Sequence, residues 1–500
     1  MNEPLTVDRL IENPLLFVVG AALLGSVVGT AVLFSDNVLW PAALVGALLL
    51  VWLVFNHPHA GLAFLVFATY TRSSDVLEHQ YGIPSFVLPL ALLLLASLFM
   101  RWWFLGERIH NWERTAVLLG IYGLVSFTSL FYAADSGRSQ NALIEFVKNC
   151  LLVFAVVLAM RDSRSLRGVS WALLAAGIFM GSLTVYQQLT GTFENTYWGF
   201  AQTEVKNIIA DVSDHRASGP VGSSNFYALV MVTLVPLALD RVWHERKLVY
   251  RLLALWALAV CVLSIFFTFS RGGFVALVVV LIVMIVRESL SPPKLLLSLA
   301  LLLVVWQFIP ANYTERLYTT LDLLPGSGSD ARNEASFRGR TSEVMVAWLI
   351  FADHPVWGVG LNNYKYYYQQ YAQPLGWDNR REERAAHSLY LEMAAETGLI
   401  GLTAFGALVG VALGRAYQTQ KMFMRAGRYD EAALAFAWMV ALIGYLAASI
   451  FLHGAYIRYF WLLIGILLAL PQTAARPLQS PGTTTPPRRL QENAQGELPC

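Results

Sequence analysis

The chain has 500 residues, 56% of them hydrophobic and 14% charged, about half the charge of a soluble protein. Its apolar residues fall in runs near the roughly 20 residues a helix needs to cross about 30 Å of hydrocarbon, which excludes a soluble multidomain protein. The runs are continuous rather than alternating, which also excludes a membrane β-barrel, and the formal net charge of +2 says less than where the charges sit.

Taken in chain order, residues 1–14 form a polar N-terminal segment carrying Arg9. The first apolar run, Leu15 to about Ser35, is too long for a signal-peptide core and lacks a convincing cleavage site, so it reads as a retained span. Further spans are expected at 38–55, 58–72, 84–100, 114–132, 142–160, 168–188, 224–240, 251–269, 272–287, 293–310, 388–414, 432–451 and 455–470. The expected fold is all-α, a polytopic transmembrane bundle of about 12–14 spans with a large outer loop containing short helices. Residues 15–310 form the first part of the bundle, interrupted by an outer loop at 189–223. Residues 311–388 form the large loop domain, 389–470 the C-terminal spans, and 471–500, rich in Pro, Thr, Gln and Arg, a disordered tail.

Basic residues orient the bundle. Arg101, Arg108 and Arg114, then Arg161, Arg164 and Arg167, then Arg241, Arg246, Lys247 and Arg251 fall in alternate connections, followed by Arg287, Lys294, Arg415, Lys421, Arg425 and Arg428. The intervening connections carry far fewer, so the basic set and both termini are expected in the cytoplasm. Cys150 and Cys261 lie inside apolar runs and Cys500 ends the tail, which leaves neither a disulfide framework nor metal-type spacing. Glu145 and Lys148 stand three apart within one span and should pair with each other.

Four basic residues are expected on the outer face. Arg271, in Ser270-Arg-Gly272-Gly, opens a helix whose free N–H groups and dipole favour an anion. Gly272 permits close backbone approach, and an Arg fork binds phosphate oxygens in pairs. Snorkelling to lipid headgroups accounts for the same residue equally well. Arg216, in Arg-Ala-Ser-Gly shortly before Asn225, and Arg340, with Arg332 and Arg338 as competitors, are weaker: a lone loop arginine is usually a solvated charge. His387, beside the span beginning Ser388-Leu-Tyr-Leu-Glu-Met, suits a general base near neutral pH, although an interfacial histidine held by the loop is the more ordinary reading. His453 is its rival, and Asp353-His-Pro reads as a helix stop. Gly358-Val-Gly360-Leu-Asn-Asn-Tyr364 has the form of a turn able to cradle a ligand and Tyr366–Tyr368 could stack on sugar rings, but both lean structural: two glycines are a weak signal and tyrosines are common at a membrane interface. The outer segments hold no Asp-X-Asp or Glu-X-Asp pair, and no nucleotide fingerprint occurs, so no metal, cofactor or nucleic-acid partner is expected.

In order and spacing these segments resemble the O-antigen ligase superfamily, which includes O-antigen polymerases and protein O-oligosaccharyltransferases. The resemblance runs from about Arg216 to Leu402. It rests on Arg216-Ala-Ser-Gly with Asn225, Phe269-Ser-Arg-Gly-Gly-Phe, Gly339-Arg340, Asp353-His-Pro-Val-Trp-Gly-Val-Gly-Leu-Asn-Asn-Tyr364, and His387-Ser-Leu-Tyr-Leu-Glu-Met-Ala-Ala-Glu-Thr-Gly-Leu-Ile-Gly401. It implies a metal-independent inverting glycosyltransferase at the periplasmic face of a bacterial inner membrane, with an undecaprenyl-diphosphate-linked glycan as donor. His387 then corresponds to the general base, and Arg271, Arg216 and Arg340 to the diphosphate-binding groups, with Ser270, Gly272, Asn225 and Tyr364 in support. Ligase and polymerase are not separated by these residues, and a lipid-linked glycan transporter is the reading from another class. The N-terminal third, including the outer loop Ser73-Ser-Asp-Val-Leu-Glu-His-Gln-Tyr81, matches nothing specific and is expected to govern acceptor choice or assembly.

Overall fold

The computed structural model describes residues 39–106, 112–209, 212–287, 335–376, 382–453 and 457–475. The expected spans at 15–35 and 293–310, Arg332, the side chain of Arg338, and the tail beyond Ala475 lie outside them. Helices α1 (Leu39–Asn56), α2 (Pro58–Tyr70), α3 (Ser73–Tyr81), α4 (Val87–Leu105), α5 (Trp112–Tyr132), α6 (Ser136–Ala159) and α7 (Ser163–Thr190) precede a two-stranded hairpin, β1 (Gln202–Ile209) and β2 (Val212–Gly219). Then follow α8 (Ser224–His244), α9 (Leu248–Phe267), α10 (Arg271–Arg287), α11 (Ala335–Asp353), α12 (Tyr364–Leu375), α13 (Leu389–Arg425), α14 (Tyr429–Ala448) and α15 (Arg458–Ala475).

Among the described residues nine helices (α4 to α9 and α13 to α15) are long and apolar enough to cross a membrane. In such a helix every backbone N–H and C=O is satisfied internally, which hydrocarbon requires. Helix α8 is the axis of the bundle. Its membrane-length stretch is 89% buried, the highest of the nine, and it packs against α9, α10 and α14. Small residues allow the close approach: a Cβ added at Gly273 would lie 2.5 Å from that of Ala228, and one at Gly444 would lie 2.6 Å from Val280.

Local signals set the helix ends. Asp162 accepts from the Ser165 N–H at 2.7 Å and Ser165 reciprocates, a capping box that starts α7. The expected Glu145–Lys148 pair forms at 2.7 Å. Helix α15 runs through Pro471 to Ala475, so the chain stays helical for one turn past the start expected for the tail. The hairpin was not anticipated by a wholly helical reading. It occupies the segment between α7 and α8, with Glu204 opposite Arg216 in its register.

The polar segments between α7 and α8, between α9 and α10, and before α13 gather at one end of the bundle. The ends of α7 and α9 rich in arginine gather at the other, where Arg246 approaches Asp430 and Arg167 meets Glu245.

Candidate functional site

The turn between α9 and α10 is fixed by its own backbone. Phe269 adopts a left-handed conformation, φ 49°, which is an outlier for a bulky side chain. Ser270 Oγ then accepts from the Gly273 N–H at 3.2 Å, capping α10 so that Arg271 occupies its first position. A Cβ at Gly272 would press on Phe451 at 3.1 Å, so this glycine admits the α14–α15 connection rather than leaving open space.

Arg216, expected to meet a ligand, is 6% exposed and turned inward. Its Nε donates to the Thr268 carbonyl at 2.8 Å, and Nη2 lies 3.4 Å from both Asn225 Oδ1 and the Phe269 carbonyl. These carbonyls belong to the C-terminal end of α9, where a cation is favourable. Arg216 and Asn225 therefore brace the turn that presents Arg271. Glu204, on the facing strand, accepts from the Ser224 hydroxyl at 2.6 Å and from its N–H at 3.3 Å, fixing the start of α8.

A second group of residues forms around His387. Its backbone is also left-handed, φ 46°, and it immediately precedes Ser388, the N-cap of α13. Its Nε2 stands 3.8 Å from Glu343 Oε2, and its ring lies edge-on to His453, with centroids 5.4 Å apart. The two histidines that compete as candidates in the sequence are thus neighbours. Burial, with help from the nearby charges of His387 and Lys365, depresses the His453 imidazole to about 3, so it is neutral at physiological pH. His453 packs edge-on against Phe226 in the first turn of α8, and the Leu389 N–H donates to the Ser449 carbonyl at 2.9 Å. The chain segments carrying Arg271 and His387 therefore meet through 449–453.

Glu343 was missed by sequence reasoning, although it stands three residues from Arg340, the residue singled out there. It is completely buried and accepts from Arg384 Nη1 at 2.9 Å. A carboxylate so placed is tolerated only when paired. Arg384 and Arg138 flank the site together: Arg138 donates to both Glu383 oxygens, at 2.7 and 2.9 Å, and this holds the Glu383 carboxyl below its usual range. Arg340 itself is exposed and makes no hydrogen bond or ion pair among the described residues. Tyr364 is buried, and its hydroxyl donates to the Glu343 carbonyl at 2.7 Å, a supporting contact to the helix rather than a ligand-facing one.

The glycine segment, which leans structural in the sequence, is stitched into a break in α13. At Gly398 the helix is interrupted, with φ 62° and ψ −163°. Val359 and Gly360 donate to the carbonyls of Ala395 and Glu396 at 3.0 and 2.8 Å, and Leu399 donates to the Pro355 carbonyl at 2.8 Å. Glu396 Oε2 accepts from the Asn362 N–H at 2.8 Å, and Asn363 exchanges hydrogen bonds with the Asp135 backbone. Little of this backbone is left over for a ligand. The tyrosine cluster divides as well: Tyr368 is buried beside Tyr364 in a small core with Val346, Ala347 and Ile350, while Tyr366 is 51% exposed.

A cavity of about 440 Å³ shares Phe226 with the histidine pair. Arg72, Asp75, Asn149, Arg458 and Tyr459 line it, and Asp75 bridges Arg72 at 2.8 Å and Arg458 at 3.1 Å.

A family model described as O-Antigen ligase matches residues 255–406, a stretch that contains Arg271, Arg340, Glu343 and His387 and excludes Arg216 and His453. No curated protein matches the chain.

Proposed function

We propose that this protein is an O-antigen ligase-like glycosyltransferase that moves a glycan from undecaprenyl diphosphate to an acceptor hydroxyl at the periplasmic face of the inner membrane. The observation that carries the reading is the convergence, at one end of a membrane-spanning bundle, of a helix-opening Arg271 and a His387 backed by a buried carboxylate. The His387 imidazole takes the proton from the acceptor hydroxyl as its oxygen attacks the anomeric carbon. The bond from that carbon to the diphosphate breaks with inversion, and the electron pair leaves with undecaprenyl diphosphate. Charge growing on the leaving group is met by the Arg271 fork and the N–H groups at the start of α10. Glu343 compensates the imidazolium formed in the step, as a carboxylate does beside a catalytic histidine.

Arg216 acts in this scheme by positioning the 268–271 turn, and Arg340 by contributing charge from the loop. The cavity lined by Arg72, Asp75 and Asn149 draws on the N-terminal third and offers polar groups to the acceptor. Lipid A-core is one acceptor of suitable chemistry. With another lipid-linked repeat unit as acceptor, the same chemistry would make the enzyme a polymerase.

The test is transfer by the purified protein in nanodiscs, with a defined undecaprenyl-diphosphate glycan, a small acceptor panel and EDTA. The expected result is transfer to one acceptor class, lost in His387→Ala. Movement of uncleaved donor across the bilayer would replace this reading with a transporter.

A further inference from the structure

At the end of the bundle opposite the candidate site lies a second polar cavity, of about 830 Å³. The starts of α7, α9 and α14 and the end of α8 enclose it. Its carboxylates are engaged. Glu245 accepts from both Arg241 and Arg167, and Arg241 is held in turn by the buried Asp240 behind the wall. Glu431 is held by Arg428 at 3.1 Å. At the rim, Arg164 and Lys247 are exposed and make no hydrogen bond or ion pair among the described residues. Arg246, 90% exposed, reaches Asp430 only at 3.8 Å. The rim therefore presents more positive charge than the cavity neutralises.

A groove of about 470 Å³ joins this cavity at Trp171, which lines both. It runs between α7 and α9 and is walled by Ile178, Phe179, Leu183, Leu253 and Trp256. The α7 residues lining it, from Trp171 to Leu183, follow helical spacing along one face over about 18 Å. That is close to one leaflet's share of a hydrocarbon core about 30 Å thick. Trp256 and Leu252 are exposed on α9, so the groove opens sideways toward lipid. At the junction, Trp171 Nε1 is buried without a hydrogen-bond partner among the described residues.

We infer that the cavity and the groove are one binding site for an anionic phospholipid. The phosphate sits between Arg164 and Lys247, an acyl chain fills the groove, and an ester oxygen near the junction accepts from Trp171. Charge complementarity selects the headgroup, since basic pockets between membrane helices hold anionic headgroups. The apolar groove requires a chain, which a free phosphate lacks. The site is separate from the proposed chemistry, and its test does not depend on transfer activity.

The experiment is native mass spectrometry of the full-length protein in detergent, titrated with phosphatidylglycerol, phosphatidylethanolamine of the same chains, and glycerol phosphate. Phosphatidylglycerol should be retained at one site at about 30-fold lower concentration than phosphatidylethanolamine, the preference two surface cations supply. Arg164→Ala with Lys247→Ala should abolish the preference at an unchanged melting temperature, since both residues are exposed. Ala175→Trp, which fills the groove, should reduce retention of both lipids. Equal retention of the two lipids, or a preference that survives the double substitution, would overturn the site. Displacement of phosphatidylglycerol by glycerol phosphate at equal concentration would show a free-phosphate site instead.

Discussion

The turn that presents Arg271 is held mainly by local contacts, whereas the pocket around His387 is held by side chains from several separate segments. In the turn, the left-handed Phe269 and the Ser270 cap act within a few residues of one another, and the Arg216 side chain braces them from β2 by donating to the Thr268 carbonyl. Around His387, Glu343 comes from α11, Arg384 from the loop and His453 from the α14–α15 connection. Those partners keep their places because the loop is sewn into the break of α13. The first half is set mostly by its local turn and cap, with Arg216 as a long-range brace. The second depends on docking, so a lesion at the docking seam reaches the histidine without touching it.

The substitutions that probe this contrast fall in order of expected effect. His387→Ala should lower transfer by about 10²- to 10⁴-fold, the usual contribution of a general base, with insertion and melting temperature unchanged. Arg271→Ala should weaken donor use by about ten- to a hundredfold, the worth of a hydrogen bond to a charged group. Arg271→Lys should restore only part of it, because an ammonium lacks the fork; the donor KM in the transfer assay measures both.

Gly358→Ala tests the docking seam. Gly358 has φ 70°, and a Cβ there would fall 2.4 Å from the Glu396 backbone. The left-handed strain alone costs about 1–3 kcal/mol, to be seen as a lower melting temperature accompanied by loss of transfer. An alanine at Gly272, which meets the side chain of Phe451 rather than backbone, should cost less in the same measurement.

His453 links the site to pH. Its folded-state value, about 3, lies below the ordinary 6.5, so the fold favours the neutral ring. The stability tied to this preference is complete above 6.5 and is lost as pH falls from 6.5 toward 3. His453→Phe should therefore flatten the fall in melting temperature between pH 7 and pH 4.5. The smallest effect belongs to Arg340→Ala. This exposed residue should leave stability within about 0.5 kcal/mol and reduce donor use less than Arg271→Ala does.

What could be read in the sequence follows the same division. Ser270-Arg-Gly-Gly announces a turn and a helix start because cation and glycines stand directly before an apolar run, and the spans announce themselves because lipid demands continuous apolar runs. The hairpin at 202–219 gave no such signal: Gln202-Thr-Glu-Val-Lys-Asn lacks the alternation of a half-buried strand. Glu343 was invisible because its partners, Arg384 and His387, lie some forty residues away in an irregular loop. Gly358 and Gly360 were legible as special backbone, but their use was not. Nothing local distinguishes a glycine that admits a ligand from one that admits a broken helix.

The central claim is a division of labour between the two halves, and it is tested most directly by measuring donor binding apart from transfer. Affinity for an undecaprenyl-diphosphate glycan would be determined for the wild-type protein, His387→Ala and Arg271→Ala in the same nanodiscs. The account predicts that His387→Ala binds donor as the wild type does yet transfers about 10²- to 10⁴-fold more slowly, while Arg271→Ala loses affinity. Wild-type transfer by His387→Ala, or unchanged donor affinity in Arg271→Ala, would contradict it.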